Sequence, residues 1–483
     1  MNLLSLILLI PLLGSILIIP LKGRQAGVLA SFLTFTVFLL TVLNVIKTFP
    51  KSEKIYLDFS FFKWLNLEFG VFNDPLTSIM LILITAVGFF VVFYSYGYMS
   101  PLNKDHAYYE PYRTYYFFML LFIGAMTGVV TATNLLQLFF FWETTTLCSW
   151  ALISYTKEKK ALFSGFKAYM MTHLGGLCFL VAIALMYVEV KSFDFSSIDL
   201  LKVSTKIVVF FLLFFAAMTK SAQIPLFTWL PDAMVAPTPV SAYLHAAAMV
   251  KAGVYLIARL YLSTHTNPEI SAYLVGTVAI FTIIVSVVLY YFQEDLKKLL
   301  AYSTIGHLGY IFLGVSFGLM GSKTGGGGGV FHIINHGFAK ALLFLSVGSI
   351  AYCTGTKNIK ELRGLYEKFP IFSLAFLVGV FAIVGIPPFS GFWSKFMIFI
   401  AAFEIKNIFS ITVGCLLILE SIAAFCWYIL VGNKILFGKP SEKVAFGLTK
   451  IPISIKLSLF FLIIMSLISP LIGYPFLNMI FRS

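Results

Sequence analysis

The sequence predicts an all-α integral membrane protein of about fourteen transmembrane helices. Three observations predict it. Of the 483 residues, 60% are hydrophobic and 11% charged, whereas a soluble domain averages about 25% charged. Apolar runs long enough to cross a bilayer, roughly 20 residues each, recur along the whole chain. Two of those runs are interrupted by proline, at Pro225 and Pro231 and again at Pro387 and Pro388. Proline removes a backbone donor, and freed carbonyls are tolerated in a membrane only beside protein or water. A span broken in this way asks for a function.

The first three spans, over residues 2–20, 26–46 and 74–98, form an N-terminal segment, 1–98. Residues 1–20 lack a basic stretch ahead of the apolar run, and Lys22 and Arg24 follow it. That order predicts a retained first helix rather than a cleaved signal. Spans at 113–131, 133–154, 164–188, 205–230 and 237–262 form a five-helix unit, 113–262. Those at 270–292, 297–319, 328–353, 370–402 and 407–434 form a second, 270–434. A last helix, 453–479, lies in the C-terminal segment 453–483. The fourth span of each unit, helices seven and twelve overall, is the interrupted one. An odd number of helices per unit makes the second enter from the opposite side, so the units are inverted repeats. Broken helices at matching positions of inverted repeats point to a transport site. About eighteen lysines and arginines follow odd-numbered spans and about eleven lie on the other side. Both termini are therefore expected outside the cytoplasm, with the chain in the inner cell membrane.

The net charge of +14 is spread over short loops, which sets orientation and does not suit nucleic-acid binding. Cys148, Cys178, Cys353, Cys415 and Cys426 are scattered through apolar helices without metal-ligand spacing, and read as packing residues. There is no phosphate loop or dinucleotide fingerprint. No cofactor or metal is expected in this chain.

The stretch 210–261 places Lys220, Asp232, His245 and Lys251 among apolar residues and four prolines. A lysine near the bilayer centre costs about 2.5–3.5 kcal/mol on the insertion scale. Lysine suits an ion path because it can give up its proton, whereas arginine stays charged. Glu143 follows Phe139, Phe140, Phe141 and Trp142, and its bland reading is a hydrogen bond to a neighbouring helix. His332, His336 and Lys340 recur at i, i+4 and i+8, a rotation of about 80° over two turns. That makes one polar stripe, read as a hydrated proton relay over a structural stripe; a metal would lack a third ligand. Lys395 follows two prolines and two glycines in the broken span. His245 and His307 read equally as path residues and as partners of a facing carbonyl. Glu420 is deep enough to be a carboxylate for Lys395, whereas Glu404 and Lys434 read as snorkelling near helix ends. Asp232 reads as a cap on a half-helix, off the path. Lys157, Lys159, Lys160, Lys167, Lys297 and Lys298 read as topology-setting charges.

Five segments carry a family resemblance: FFFWETTTLCSW (139–150), KSAQIPLFTWLPDAMVAPTPVSAYLHAAAMVKAGVYLIAR (220–259), LKKLLAYSTIGHLGYI (296–311), FHIINHGFAKALLFL (331–345) and GIPPFSGFWSKF (385–396). In this order the chain resembles the antiporter-like membrane subunits of respiratory complex I, of Mrp cation/proton antiporters, and of membrane-bound hydrogenases and their sulfur-reducing relatives. The resemblance implies fourteen helices with inverted five-helix repeats. It implies that Glu143 and Lys220 form a glutamate–lysine pair, that Lys251 is the central lysine, and that Lys395 is the exit-side lysine. Residues 332–340 would line the path between the halves. Other membrane subunits are the implied partners, with redox centres in them if the complex is redox-driven. The chain stops after the fourteenth span, so the longest family type, with a lateral helix, is not expected. The glycine run 325–329 is no part of the resemblance, and its role stays open.

The function expected is proton or sodium translocation within a multisubunit membrane complex, without redox chemistry in this chain. The rival readings are a self-sufficient carrier of a small solute and a structural subunit that does not pump. The type of complex, whether a hydrogenase, sulfur reductase, quinone reductase or antiporter, stays open.

Overall fold

A computed structural model describes residues 2–49, 51–57, 69–109, 112–266 and 268–482. The two terminal residues, Met1 and Ser483, lie outside these. Among the described residues the chain is all-α apart from one antiparallel hairpin, β1 (Glu53–Leu57) with β2 (Phe69–Asn73). Composition gave no sign of the hairpin.

The N-terminal helices are α1 (Leu3–Ile18), α2 (Gln25–Thr48) and α3 (Pro75–Tyr98). Next come α4 (Tyr112–Thr131), α5 (Leu135–Ile153), α6 (Lys159–Val190) and α7 (Val203–Lys220). The short α8 (Trp229–Asp232) leads to α9 (Thr238–Ala246) and α10 (Met249–Ser263). Then follow α11 (Glu269–Tyr291), α12 (Leu296–Leu319) and α13 (Lys323–Thr354). The short α14 (Leu365–Lys368) precedes α15 (Pro370–Val384), α16 (Ser390–Glu404) and α17 (Ile408–Leu436). The short α18 (Glu442–Ala445) precedes α19 (Ile453–Arg482). Among the described residues, 11 helices are long and apolar enough to cross a membrane, with Leu3–Ile18 and Pro370–Val384 shorter apolar helices. The protein is a multi-pass membrane protein.

Several spans begin where a polar side chain can take up a free helical N–H. Asp74 accepts from Thr77 N at 2.8 Å, Asn134 from Gln137 N at 2.9 Å, and Asn407 from Ser410 N at 2.7 Å. Hydropathy does not reveal which helix is central, because lipid is as apolar as the protein core. Burial does. α13 is wholly enclosed by α12, α16, α19, α15 and α9, whereas only a third of α2 and of α17 is buried.

The glycine run explains how α13 gets so close to α12. The helix starts at Lys323 rather than at the expected 328, with Ser322 Oγ accepting from Gly325 N at 3.0 Å. Residues 325–329 are helical, although each glycine costs about 1 kcal/mol relative to alanine. A Cβ on Gly314 would sit 2.5 Å from the Cα of Gly329, and one on Gly329 would sit 2.9 Å from the Ile311 carbonyl. The run is a flat face on which a second backbone rests.

The expected break in the seventh span falls after Lys220. Ala222 adopts a left-handed φ of 48°, and the Ile224–Pro225 bond is cis. The freed groups find partners. Trp229 Nε1 donates to the Thr219 carbonyl at 3.0 Å, and Ile224 N donates to Thr282 Oγ1 at 3.2 Å. The twelfth span breaks between Val384 and Ser390, with Gly385 at φ 91° and a cis Pro387–Pro388 bond.

The eighth span, expected as one helix over 237–262, also breaks. α9 ends at Ala246 and α10 begins at Met249, and the N–H groups of Ala247 and Ala248 both bond the Tyr243 carbonyl. No proline or glycine marks this break, so the sequence could not show it.

Candidate functional site

The expected site residues lie in two groups along the protein interior. In the first, Glu143 on α5 takes its hydrogen bond from α6: its Oε2 lies 2.7 Å from His173 Nδ1. Side-chain exposures of 24% for Glu143 and 35% for His173 put this pair at the rim. Gly175 and Gly176 make the space. A Cβ on Gly176 would fall 2.0 Å from Glu143 Oε1, and one on Gly175 the same distance from Thr219 Oγ1.

Lys220, at the end of α7, is fully buried and bonds α5 rather than the Glu143 carboxylate. Its Nζ donates to the Trp142 carbonyl at 2.8 Å, to Thr145 Oγ1 at 2.7 Å and to Thr146 Oγ1 at 2.8 Å. Three acceptors match the three donors of an ammonium. The Trp142 ring adds a cation–π contact at 5.1 Å. Glu143 and Lys220 are therefore not bonded to each other: the carboxylate on α5 has His173 and the ammonium on α7 has the Trp142 carbonyl, Thr145 and Thr146. Sequence reasoning missed His173. Its only signal was a lone histidine in an apolar span beside two glycines.

The second group runs from α10 to α17. Lys251 Nζ lies 2.6 Å from His336 Nδ1 on α13, both fully buried. The His336 ring stacks on His307 of α12 with centroids 5.2 Å apart, and His336 Nε2 has no hydrogen-bond partner among the described residues. His307 Nδ1 then meets His332 Nε2 at 3.0 Å, and His332 Nδ1 meets Ser394 Oγ on α16 at 2.8 Å. The next residue is Lys395, whose Nζ sits 4.6 Å over the Tyr310 ring and 3.4 Å from the Val384 carbonyl at the helix break. Tyr310 donates its hydroxyl hydrogen to Glu420 of α17. Glu420 therefore reaches Lys395 through a tyrosine.

A branch leads off this line. Lys340, on the same face of α13 as His336, donates to Ser303 Oγ at 2.9 Å and to the Leu300 carbonyl at 3.1 Å. His245 on α9 is fully buried with its ring 4.6 Å from that of Phe344, and neither ring nitrogen is bonded among the described residues. Lys297 is not a surface charge. It is 2% exposed and donates to the carbonyls of Met234 and Ala236 at 2.8 and 2.7 Å, just past the seventh-span break. Asp232 does not cap a half-helix; it pairs with Lys167 at 2.7 Å. Lys167 is accordingly half of an ion pair rather than a free topology charge. Glu404 accepts from Ser322 Oγ at 2.9 Å. Cys148 and Cys353 are buried packing residues, whereas Cys415 and Cys426 face outward.

A further pair fixes α10. Arg259, 1% exposed, makes a two-pronged ion pair with Asp74 at the start of α3, and its Nη2 also donates to Thr77 Oγ1 at 2.8 Å. Its Nε donates to Tyr255 Oη at 3.1 Å, and that hydroxyl donates to the Val130 carbonyl of α4 at 2.8 Å. These bonds pin the helix two turns beyond Lys251. Among the described residues no three His, Cys, Asp or Glu side chains converge as metal ligands.

Residues 132–419 match the family described as NADH:quinone oxidoreductase/Mrp antiporter, TM. Residues 60–109 match the one described as NADH-Ubiquinone oxidoreductase (complex I), chain 5 N-terminus. The chain is similar to the chloroplastic NAD(P)H-quinone oxidoreductase subunit 5 of Aethionema cordifolium and of Lobularia maritima. Identity is 36% over 428 and 426 residues, taking in 82% of this chain and 55% of each relative. The chain thus spans about half the length of the curated relatives it matches. Among solved structures it superposes on a chain of the Mrp complex from Dietzia sp. DQ12-45-1b, with a TM-score of 0.86 and 29% identity, over 99% of this chain and 52% of that one. It also superposes on a chain of the membrane-bound sulfane sulfur reductase, an archaeal respiratory membrane complex. There the TM-score is 0.86 at 24% identity, over 99% of this chain and 96% of the other. That second likeness is one of fold.

Proposed function

The chain belongs to the family of NADH:quinone oxidoreductase/Mrp antiporter membrane subunits, and from that premise we propose that it translocates protons as one subunit of a multisubunit membrane complex. The observation that carries the reading is the buried line Lys251, His336, His307, His332 and Ser394, in which every neighbour is within bonding or stacking distance. Each imidazole can accept a proton on one nitrogen and release one from the other. The line favours protons over sodium, because a bare alkali cation needs oxygen ligands and this line is mostly nitrogen.

A proton reaches the Glu143–His173 pair at the rim and passes by way of Lys220 to Lys251. Lys251 hands it to His336, and from there it crosses to His307 and His332. It leaves past Ser394 through Lys395, with Tyr310 and Glu420 as the terminal acceptor pair. Water bridges the steps without a direct bond: the Glu143–His173 pair to Lys220, Lys220 to Lys251, His336 to His307, Ser394 to Lys395, and Lys395 to the Tyr310 hydroxyl. The energy comes from a neighbouring subunit or a coupled gradient. A potential of 100 mV is worth about 2.3 kcal/mol per charge, the scale of exchanging one lysine partner for another. Redox centres, where the complex has them, belong to other subunits.

The same reading takes 113–262 and 270–434 as inverted five-span units, flanked by 1–98 and 453–483. Both chain ends then lie outside the cytoplasm of an inner cell membrane. Labelling of single cysteines placed next to residues 24 and 452 from one side of sealed vesicles checks the orientation.

Lys251→Arg is the decisive variant for function. Arginine keeps the charge and cannot release the proton. The assembled complex carrying Lys251→Arg, reconstituted in vesicles, is expected to lose proton transport by about 100-fold or more. Wild-type rates in that variant would overturn the reading, and would favour a structural subunit instead.

A further inference from the structure

Away from the path, the end of α17 borders three cavities that join into one surface. The first, about 560 Å³, opens beside the last turn and is lined by Lys360, Arg363, Asn433, Lys434 and Phe437 among others. The second, about 370 Å³, shares Lys360 and Lys434 with it and runs along one face of α17 past Tyr291, Trp427, Leu430 and Val431. The third, about 380 Å³, shares Asn433 and Phe437 with the first and runs along the other face between Phe376, Phe381 and Leu436. One basic cup therefore opens into two apolar furrows, one on each side of a single helix.

The charges in the cup are unbalanced. Lys360 pairs with Glu294, and both are well exposed. Arg363 and Lys434 have no ion-pair partner among the described residues. The guanidinium of Arg363 is held against the chain at Gly438, where a Cβ would meet its Nε at 2.7 Å. Gly438 has a φ of 90°, which suits glycine. In the first furrow Trp427 packs on Tyr291 with ring centroids 4.2 Å apart, and its buried Nε1–H has no acceptor among the described residues. A topology-setting charge needs none of this; any basic loop on this side would serve.

We propose that this is a binding site for one anionic glycerophospholipid. Its phosphate is held by Arg363 and Lys434, and its two acyl chains lie in the two furrows, one of them beside the Trp427 side chain. Two furrows meeting at one cup match a molecule with one charged head and two chains. Basic pockets between helices at a membrane surface recognise such heads.

The test uses the assembled complex in nanodiscs containing either phosphatidylglycerol or phosphatidylcholine with brominated acyl chains, which quench nearby tryptophan. The Trp427 signal is taken as the difference from Trp427→Phe. Brominated phosphatidylglycerol is expected to quench it at least about threefold more than brominated phosphatidylcholine at equal mole fraction. In Arg363→Ala/Lys434→Ala, shown by size and melting temperature to be assembled, the difference should vanish. Equal quenching by the two lipids in the unaltered protein overturns the proposal, as does a preference that survives the double substitution. Absence of quenching by either lipid would mean that protein covers the furrow, and overturns it too. Loss of the preference on adding millimolar inorganic phosphate would assign the cup to a free anion instead.

Discussion

Lys220 and Lys251 are both fully buried lysines near a helix break, yet their surroundings differ in kind. Lys220 is saturated by a carbonyl and two hydroxyls of α5, and the nearest carboxylate, Glu143, is occupied by His173 at the rim. Lys251 has one bonded partner, His336 at 2.6 Å, and that partner opens onto two more imidazoles. Neutral acceptors hold an ammonium in place, so its proton moves on only when that set of partners changes. An imidazole can take it. The first region thus sets competing partners against each other, whereas the second connects partners in series. A gate needs the first arrangement and a relay the second.

The sharpest way to break this contrast is to cut the relay where it is bonded on both sides. His332 bonds His307 through one nitrogen and Ser394 through the other. His332→Leu is expected to reduce proton transport about 100-fold, the scale of removing a positioned proton-transfer group. His332→Gln should restore little, since an amide bonds on both sides but does not pass a proton. Transport within a few-fold of wild type in His332→Leu, measured by pH-sensitive dye in vesicles, would exclude the histidine line as the path.

The gate predicts a smaller loss and a different pattern. Glu143→Gln and His173→Ala are each expected to slow transport about tenfold, because Lys220 keeps its three neutral acceptors and the complex still assembles. If Glu143 and His173 act as one unit, the double variant is no slower than either single one. Losses that multiply would make them independent, and normal transport in assembled Glu143→Gln would remove the acid from the path altogether.

The sequence showed much of the relay and little of the gate, for a physical reason. His332, His336 and Lys340 share a helix face by spacing alone, and Lys251 and Lys395 stand out as charges in apolar runs beside proline breaks. Partnership across helices is not encoded in spacing. Nothing local distinguishes His173, which meets Glu143, from a histidine bonding a carbonyl. Lys297 looked like a loop charge because it sits at a helix start, where only packing against Met234 and Ala236 reveals its burial. The Ala247–Ala248 break is silent because alanine, unlike proline, fits both helical and broken backbone. The glycine run was visible but mute: its purpose depends on which helix lies against it.

The smallest effect tests whether the gate depends on where the Glu143 carboxylate sits. Gly176 leaves the space into which Glu143 Oε1 projects, and a methyl group there would lie 2.0 Å from that oxygen. The neighbour is the far end of a flexible side chain, so the carboxylate can turn aside and the helices need not part. Gly329 makes the opposite case, since its added methyl would meet backbone at 2.9 Å from Ile311 O and from Val315 N. Overpacking of that kind typically costs about 1–3 kcal/mol. Gly329→Ala should therefore lower the melting temperature of the detergent-purified complex, whereas Gly176→Ala should leave it nearly unchanged. In transport, Gly176→Ala is expected to lose only about threefold, a cost of about 0.7 kcal/mol for a displaced but intact acid. Combining it with Glu143→Asp, whose shorter arm clears the methyl group, should cost less than the product of the two single losses. A fully multiplicative loss in the double variant would mean that the carboxylate was not the group displaced, and that Gly176 serves helix packing alone.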